Sequence, residues 1–172
     1  MSKKILVVRN IERESLGFIA QFLREKNIGY DIIDADDTTM FPEPSTYSGI
    51  IVFGGPDSAN DKTPKMIKEL EFVSKCVEQK VSYLGICLGM QVLVKASGGT
   101  VYINESNGVK VKEVGVCDDA GDVYDVELTL AGRYDPLFEG VEENLHTSFS
   151  ENKIDINAED PFAVKLKIFQ MH

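Results

Sequence analysis

One cysteine sits where a nucleophile would. Cys87 occupies the run Gly85-Ile86-Cys87-Leu88-Gly89-Met90-Gln91, which has the form Gly-x-Cys-x-Gly. Between a strand and a helix this is the pattern of a nucleophile elbow with a thiol in place of a hydroxyl. The sharp turn needs small neighbours, and Gly85 and Gly89 supply them while Cys87 projects its sulfur above the sheet edge. A helix N-terminus there favours the thiolate, through unpaired N–H groups and the positive end of the helix dipole. Attack on a carbonyl carbon builds negative charge on its oxygen. Leu88 offers the backbone N–H beside the nucleophile as one half of an oxyanion hole. The turn Gly54-Gly55, at the head of the run GGPDSAND, offers the other half, with Gly55 as the donor, because glycine lets a backbone N–H point where other residues cannot. Gln91 lies one helical turn beyond Cys87 on the same face and is placed to hold a substrate's polar end.

The remaining candidates have plainer readings. Cys76, in mid-helix, and Cys117, in or beside a strand, read as small buried hydrophobes. Asp57 to Asp61 reads as a polar loop, and Met90, Val92 and Leu93 as core. Gly54-Gly55-Pro56 alone would be a turn, and Gln91 alone a solvated helix residue.

The elements that must position these residues follow from the apolar patterning. Lys4 to Arg9 is a short continuous apolar run, the mark of a strand buried on both faces. Leu16, Ile19, Ala20 and Leu23 predict a helix from about Glu12 to Lys26, stopped by Asn27 and Gly29. Tyr30 to Ile33 and Gly49 to Phe53 are the next strands. Thr63-Pro64 starts a helix that runs to about Gln79, with Ile67, Leu70, Val73 and Val77 as its expected buried stripe. Val81 to Ile86 is a strand, and a helix from Leu88 ends at Gly98-Gly99. This alternation predicts an α/β fold, a doubly wound, mostly parallel sheet of flavodoxin-like type. Ligands of such sheets bind at the carboxyl ends of the strands, where GGPDSAND and GICLGMQ both lie. Beyond Gly99, Thr100 to Ile103 and Val109 to Val116 flank Asn107-Gly108 as a hairpin, and Val123 to Leu130 is another strand-like run. These predict an antiparallel extension of one domain spanning residues 1–172.

Composition narrows the class. The 172 residues carry 18 Lys+Arg against 28 Asp+Glu, a net charge of −10, and form no basic cluster. Nucleic acid is therefore not an expected partner. The longest mostly apolar stretch, Tyr83 to Val94, is short of the ~20 helical residues a bilayer requires. The start MSKKILVV lacks the apolar core of a signal peptide. Three scattered cysteines suit a reduced, cytoplasmic protein rather than a disulfide scaffold. With only His146 and His172 as histidines, no metal ligand set is expected, and no phosphate loop predicts a nucleotide cofactor.

GGPDSAND followed by YLGICLGMQVLVKASGGTV resembles the class I, triad-type glutamine amidotransferase domain, with most likeness to glutaminase subunits and domains of GMP synthase type. The resemblance covers about Lys3 to Gly132, from KILVVR through KEVG. It implies hydrolysis of the glutamine side-chain amide to glutamate and ammonia, the ammonia passing to a synthase partner. It further implies that Cys87 forms a glutamyl thioester, that Gly55 and Leu88 stabilise the oxyanion, and that Gly54 and Gln91 contact substrate.

The family completes its chemistry with a His followed two residues later by a Glu. His172 closes IFQMH, similar to the family's Gln-x-His segment, and lies 85 residues after Cys87. On that alignment His172 is the base, the orienting Glu is missing, and the chain reads as incomplete at its C-terminus. Enzymes lose roughly 10²–10⁴ when a proton-transfer group is unsupported, so weak activity is expected. On a second alignment FQMH precedes the catalytic histidine and the base itself is missing; His146 is a third possibility. Two other functions stay open: a γ-glutamyl peptide hydrolase, and a catalytically silent module that binds glutamine or a partner.

Overall fold

The computed structural model describes residues 4–37 and 40–102, and beyond them residues 105–106, 109–110, 125–127, 134, 144–146 and 154–155. Two compact units divide the described residues. The first holds residues 4–102 with 154–155, and the second the short segments between.

In chain order the first unit contains β1 (Ile5–Arg9), α1 (Gly17–Glu25), β2 (Tyr30–Asp34), a 3-10 turn (Pro44–Thr46), β3 (Gly49–Val52), α2 (Pro64–Glu78), β4 (Tyr83–Gly85), α3 (Leu88–Ala96) and β5 (Thr100–Val101). Four strands form a parallel sheet in the order β2-β1-β3-β4. Val8 of β1 pairs with Ile33 on one side and Val52 on the other, and Ile51 pairs with Leu84. Residues one apart on a strand face opposite sides, so the run Leu6-Val7-Val8 feeds two cores. Leu6, Val8, Ile50 and Val52 pack with Phe72 and Val73 of α2 and with Leu88 and Val92 of α3. Val7 and Phe53 pack with Leu16, Ile19 and Ala20 at α1. The expected α/β class with a mostly parallel sheet is what the chain forms.

Helix boundaries follow from local chemistry. Thr63 Oγ1 accepts the N–H of Met66 at 3.2 Å and Pro64 takes the first helical position, so α2 starts where expected. Helices α1, α2 and α3 end the same way. Asn27, Lys80 and Gly98 take positive φ, and the following residue returns an N–H to a carbonyl five residues back: Ile28 to Leu23, Val81 to Cys76 and Gly99 to Val94.

Two expectations about the helices need correction. The first helix begins at Gly17, not near Glu12: Glu14 N–H bonds to Ile11 O in a separate turn, and Gly17 at φ +48° diverts the backbone between turn and helix. The buried residues of α2 are Met66, Glu69, Phe72, Val73 and Cys76, while Ile67 is 48% exposed. A carboxylate within that stripe breaks the apolar period and shifts the expected face by about one position.

The second unit contains β6 (Glu105–Ser106), β7 (Val109–Lys110), β8 (Asp125–Glu127) and β9 (Asn144–His146). Ser106 pairs with Val109 across the two positions 107–108, a hairpin where the Asn-Gly signal expects one. Its first arm differs from expectation, since Thr100-Val101 instead pairs antiparallel with β10 (Ile154–Asp155) in the first unit. β8 pairs antiparallel with β9. The remainder of the expected arm 109–116 lies outside the described residues, as do Cys117 and His172.

Candidate active site

The carboxyl ends of β3 and β4 bring the two glycine-bearing runs side by side. Cys87, just before α3, has φ 52° and ψ −112° and is half-buried. A non-glycine residue held at such a torsion costs of order 1–3 kcal/mol and persists only where its surroundings fix it. They do so here. Ile86 N–H donates to Val52 O at 2.9 Å, the N–H groups of Met90 and Gln91 donate to Cys87 O at 3.0 and 3.1 Å, and Tyr83 Oη donates to Gly89 O at 3.0 Å. A side chain on Gly89 would run into the Val52 backbone, so the helix start lies directly on the end of β3.

The Gly54-Gly55 turn faces this elbow. A Cβ on Gly54 would lie 3.2 Å from Cys87 Cβ and 3.6 Å from its Sγ, and one on Gly55 would lie 3.1 Å from Leu88 Cδ2. Gly54, Gly55, Cys87 and Leu88 thus come together. Gln91 lies one turn along α3 and is 9% exposed. His146 contributes backbone to β9 in the second unit, opposite Asp125. Cys76 is buried in α2, and burial pushes its thiol up to about 12, which makes it inert beside ordinary thiols.

The loop after Gly55 is tied down rather than merely polar. Lys65 Nζ reaches Asp57 at 2.7 Å, Asp36 at 3.0 Å and the Asn10 carbonyl at 3.1 Å, joining the ends of three strands. Burial pulls on that ammonium, but Asp57 and Asp36 outweigh it and hold Lys65 above its usual range. Farther along, Lys95 Nζ donates to Ala59 O at 2.6 Å and Asn60 Nδ2 to Val101 O at 2.9 Å.

Sequence reasoning misses the pair beneath Gly55. Asn10, 2% exposed, and Glu69, fully covered, lie 59 positions apart and share a bond from Asn10 Nδ2 to Glu69 Oε1 at 3.0 Å. The same amide donates to Phe53 O at 3.2 Å, and a Cβ on Gly55 would stand 2.6 Å from Asn10 Cβ. One signal could have found Asn10: it is the first polar residue after β1, at the ligand-binding end of the sheet. Glu69 offers none locally.

Among the described residues no group of three or more His, Cys, Asp or Glu is placed to hold a metal, and no helix is long and apolar enough to cross a membrane.

Comparison with known proteins shows the family. The family model "Glutamine amidotransferase class-I" matches residues 11–165. The chain is 31% identical over 99 residues to a subunit of the glutamine-hydrolysing GMP synthase of Haloquadratum walsbyi, covering 55% of this chain and 47% of that protein. It is 29% identical over 99 residues to a Haemophilus influenzae protein provisionally named anthranilate synthase component II, covering 58% and 48%. The chain therefore spans about half the length of these relatives. A solved glutamine amidotransferase of Methylobacillus flagellatus superposes with a TM-score of 0.70 at 25% identity, over 91% of this chain and 58% of that one. With an elbow cysteine beside a Gly-Gly turn on a parallel sheet, and a family model that matches most of its sequence, the protein belongs to the class I glutamine amidotransferase family.

Proposed function

We propose that the chain hydrolyses the side-chain amide of glutamine through Cys87 and supplies the ammonia to a synthase of GMP synthase type. The observation that carries this reading is the elbow cysteine at φ 52° with Gly54 packed against its side chain. In this scheme Cys87 Sγ bonds to the amide carbon and the carbonyl oxygen becomes an oxyanion. The N–H groups of Gly55 and Leu88 receive that charge, the step at which preorganised donors count most. Collapse breaks the C–N bond, and a proton delivered to nitrogen releases ammonia. Water then cleaves the thioester to glutamate and returns the thiol. Gln91 and the Gly54 wall orient the substrate. His172 is the proposed proton carrier on the strength of the IFQMH segment, with His146 as the other histidine to test.

The test is ammonia and glutamate release from glutamine by the chain alone and with a GMP synthase partner. Cys87→Ala should abolish release, while Cys76→Ala and Cys117→Ala retain it. Full activity in Cys87→Ala sinks the mechanism.

A further inference from the structure

Two buried polar atoms beneath the Gly-Gly turn lack partners among the described residues: Asn10 Oδ1 and Glu69 Oε2. Both are acceptors while Glu69 is ionised, and both belong to groups that already share the bond from Asn10 Nδ2 to Glu69 Oε1. An ionised Glu69 leaves both unmet, and a buried acceptor without a partner keeps its full desolvation penalty, larger still for a charged group. A proton on Glu69 Oε2 would give that atom a hydrogen to donate, and with Asn10 Oδ1 as its acceptor the acid and the amide would be joined by a second hydrogen bond. The remaining hydrogen of the Asn10 amide serves the carbonyl of Phe53, one residue before the turn. Asn10 Cβ also fills the space against Gly55.

We propose that Asn10 and a protonated Glu69 are a positioning pair that holds the Phe53–Gly55 backbone, and with it the Gly55 N–H, in place for the chemistry at Cys87. This role rests on the glutaminase reading of Cys87. Neither side chain touches the reacting atoms. Charged and titratable groups around Glu69 pull in both directions. Burial, the largest influence, pushes its carboxyl up; Asn10 and Lys65 oppose that, and Asp57 and Asp36 reinforce it. Tyr83, raised by burial and by Glu69, stands nearby as a neutral phenol.

A chloroketone analogue of glutamine reads the turn: Cys87 Sγ adds to its carbonyl carbon to give a tetrahedral oxyanion, which re-forms the carbonyl as sulfur passes to the neighbouring CH2 and chloride leaves, giving a stable thioether. Asn10→Ala and Glu69→Ala should lower the maximal alkylation rate about 10- to 100-fold, the scale of a misplaced catalytic group, with little change in half-saturating concentration. Glu69→Gln, which can accept from and donate to Asn10 as the protonated acid does, should stay within about threefold of wild type on the same scale. Equal losses in Glu69→Gln and Glu69→Ala would mean that the carboxylate is required, and would overturn the proposal. So would a loss confined to half-saturation. An infrared difference spectrum between wild type and Glu69→Gln at neutral pH should contain the C=O stretch of a protonated carboxylic acid; carboxylate bands alone would refute the neutral pair. A wild-type chain that resists alkylation altogether would instead defeat the glutaminase reading itself.

Discussion

Gly55 shows how little room the packing leaves at the scale of one residue. A methyl group there would stand 2.6 Å from Asn10 Cβ and 3.1 Å from Leu88 Cδ2, so the turn would have to shift away from the elbow. With Gly55 as the proposed oxyanion donor, Gly55→Val should lower turnover on glutamine by about 10²-fold or more while KM changes little, since such a donor acts in the transition state. Steady-state kinetics checks it, and a change in KM alone would remove Gly55 from that role. The meeting of Cys87, Gly54, Gly55 and Leu88 is legible because their types and spacing are local. Asn10 and Glu69 are not, because a buried polar pair is defined by its partner, and each partner is distant in sequence.

At the scale of elements, the strands and most helix ends are written in short-range chemistry, and the structure departs from expectation where tertiary contacts override it. Thr63-Pro64 and Asn27 mark helix ends as expected. The buried face of α2 differs from the expected one because Glu69 occupies a core position that periodicity reserves for an apolar side chain. Two substitutions test the local account. Thr63→Ala should cost about 1 kcal/mol through loss of the cap on Met66 N–H. Lys80→Gly should stabilise by about 1 kcal/mol, since Lys80 holds φ 54° at the end of α2. Chemical denaturation of both variants decides, and a stabilised Thr63→Ala or a destabilised Lys80→Gly would contradict it.

At the scale of the whole molecule, the sheet's two faces are readable from the doubly buried run of β1, whereas the pairing of Thr100-Val101 with Ile154-Asp155 is not, since that partner lies far along the chain. Global stability should also carry the signature of Glu69. Its folded carboxyl titrates above the usual value of 4.5, so the protonated form favours the fold. That contribution is complete below the unfolded pKa and is lost as pH rises through the folded one. Glu69→Gln should remove this loss, leaving a flatter stability profile than wild type as pH rises above 4.5. Melting temperatures measured across pH test the sign, and a loss on the acid side would reverse it.

The backbone torsion at Cys87 has a further consequence, for the protein's tolerance of change. A fold that keeps one non-glycine residue at φ 52° sits below the stability its sequence could reach. Cys87→Gly and Cys87→Ala both discard the thiol, but only glycine occupies that torsion freely. After the larger entropy of glycine in the unfolded chain is subtracted, Cys87→Gly should exceed Cys87→Ala by about 1 kcal/mol, or roughly 2–4 °C in melting temperature. The margin measures what the chain forgoes in robustness to keep a sulfur at the head of α3, and it bounds how many other destabilising substitutions the same fold can absorb.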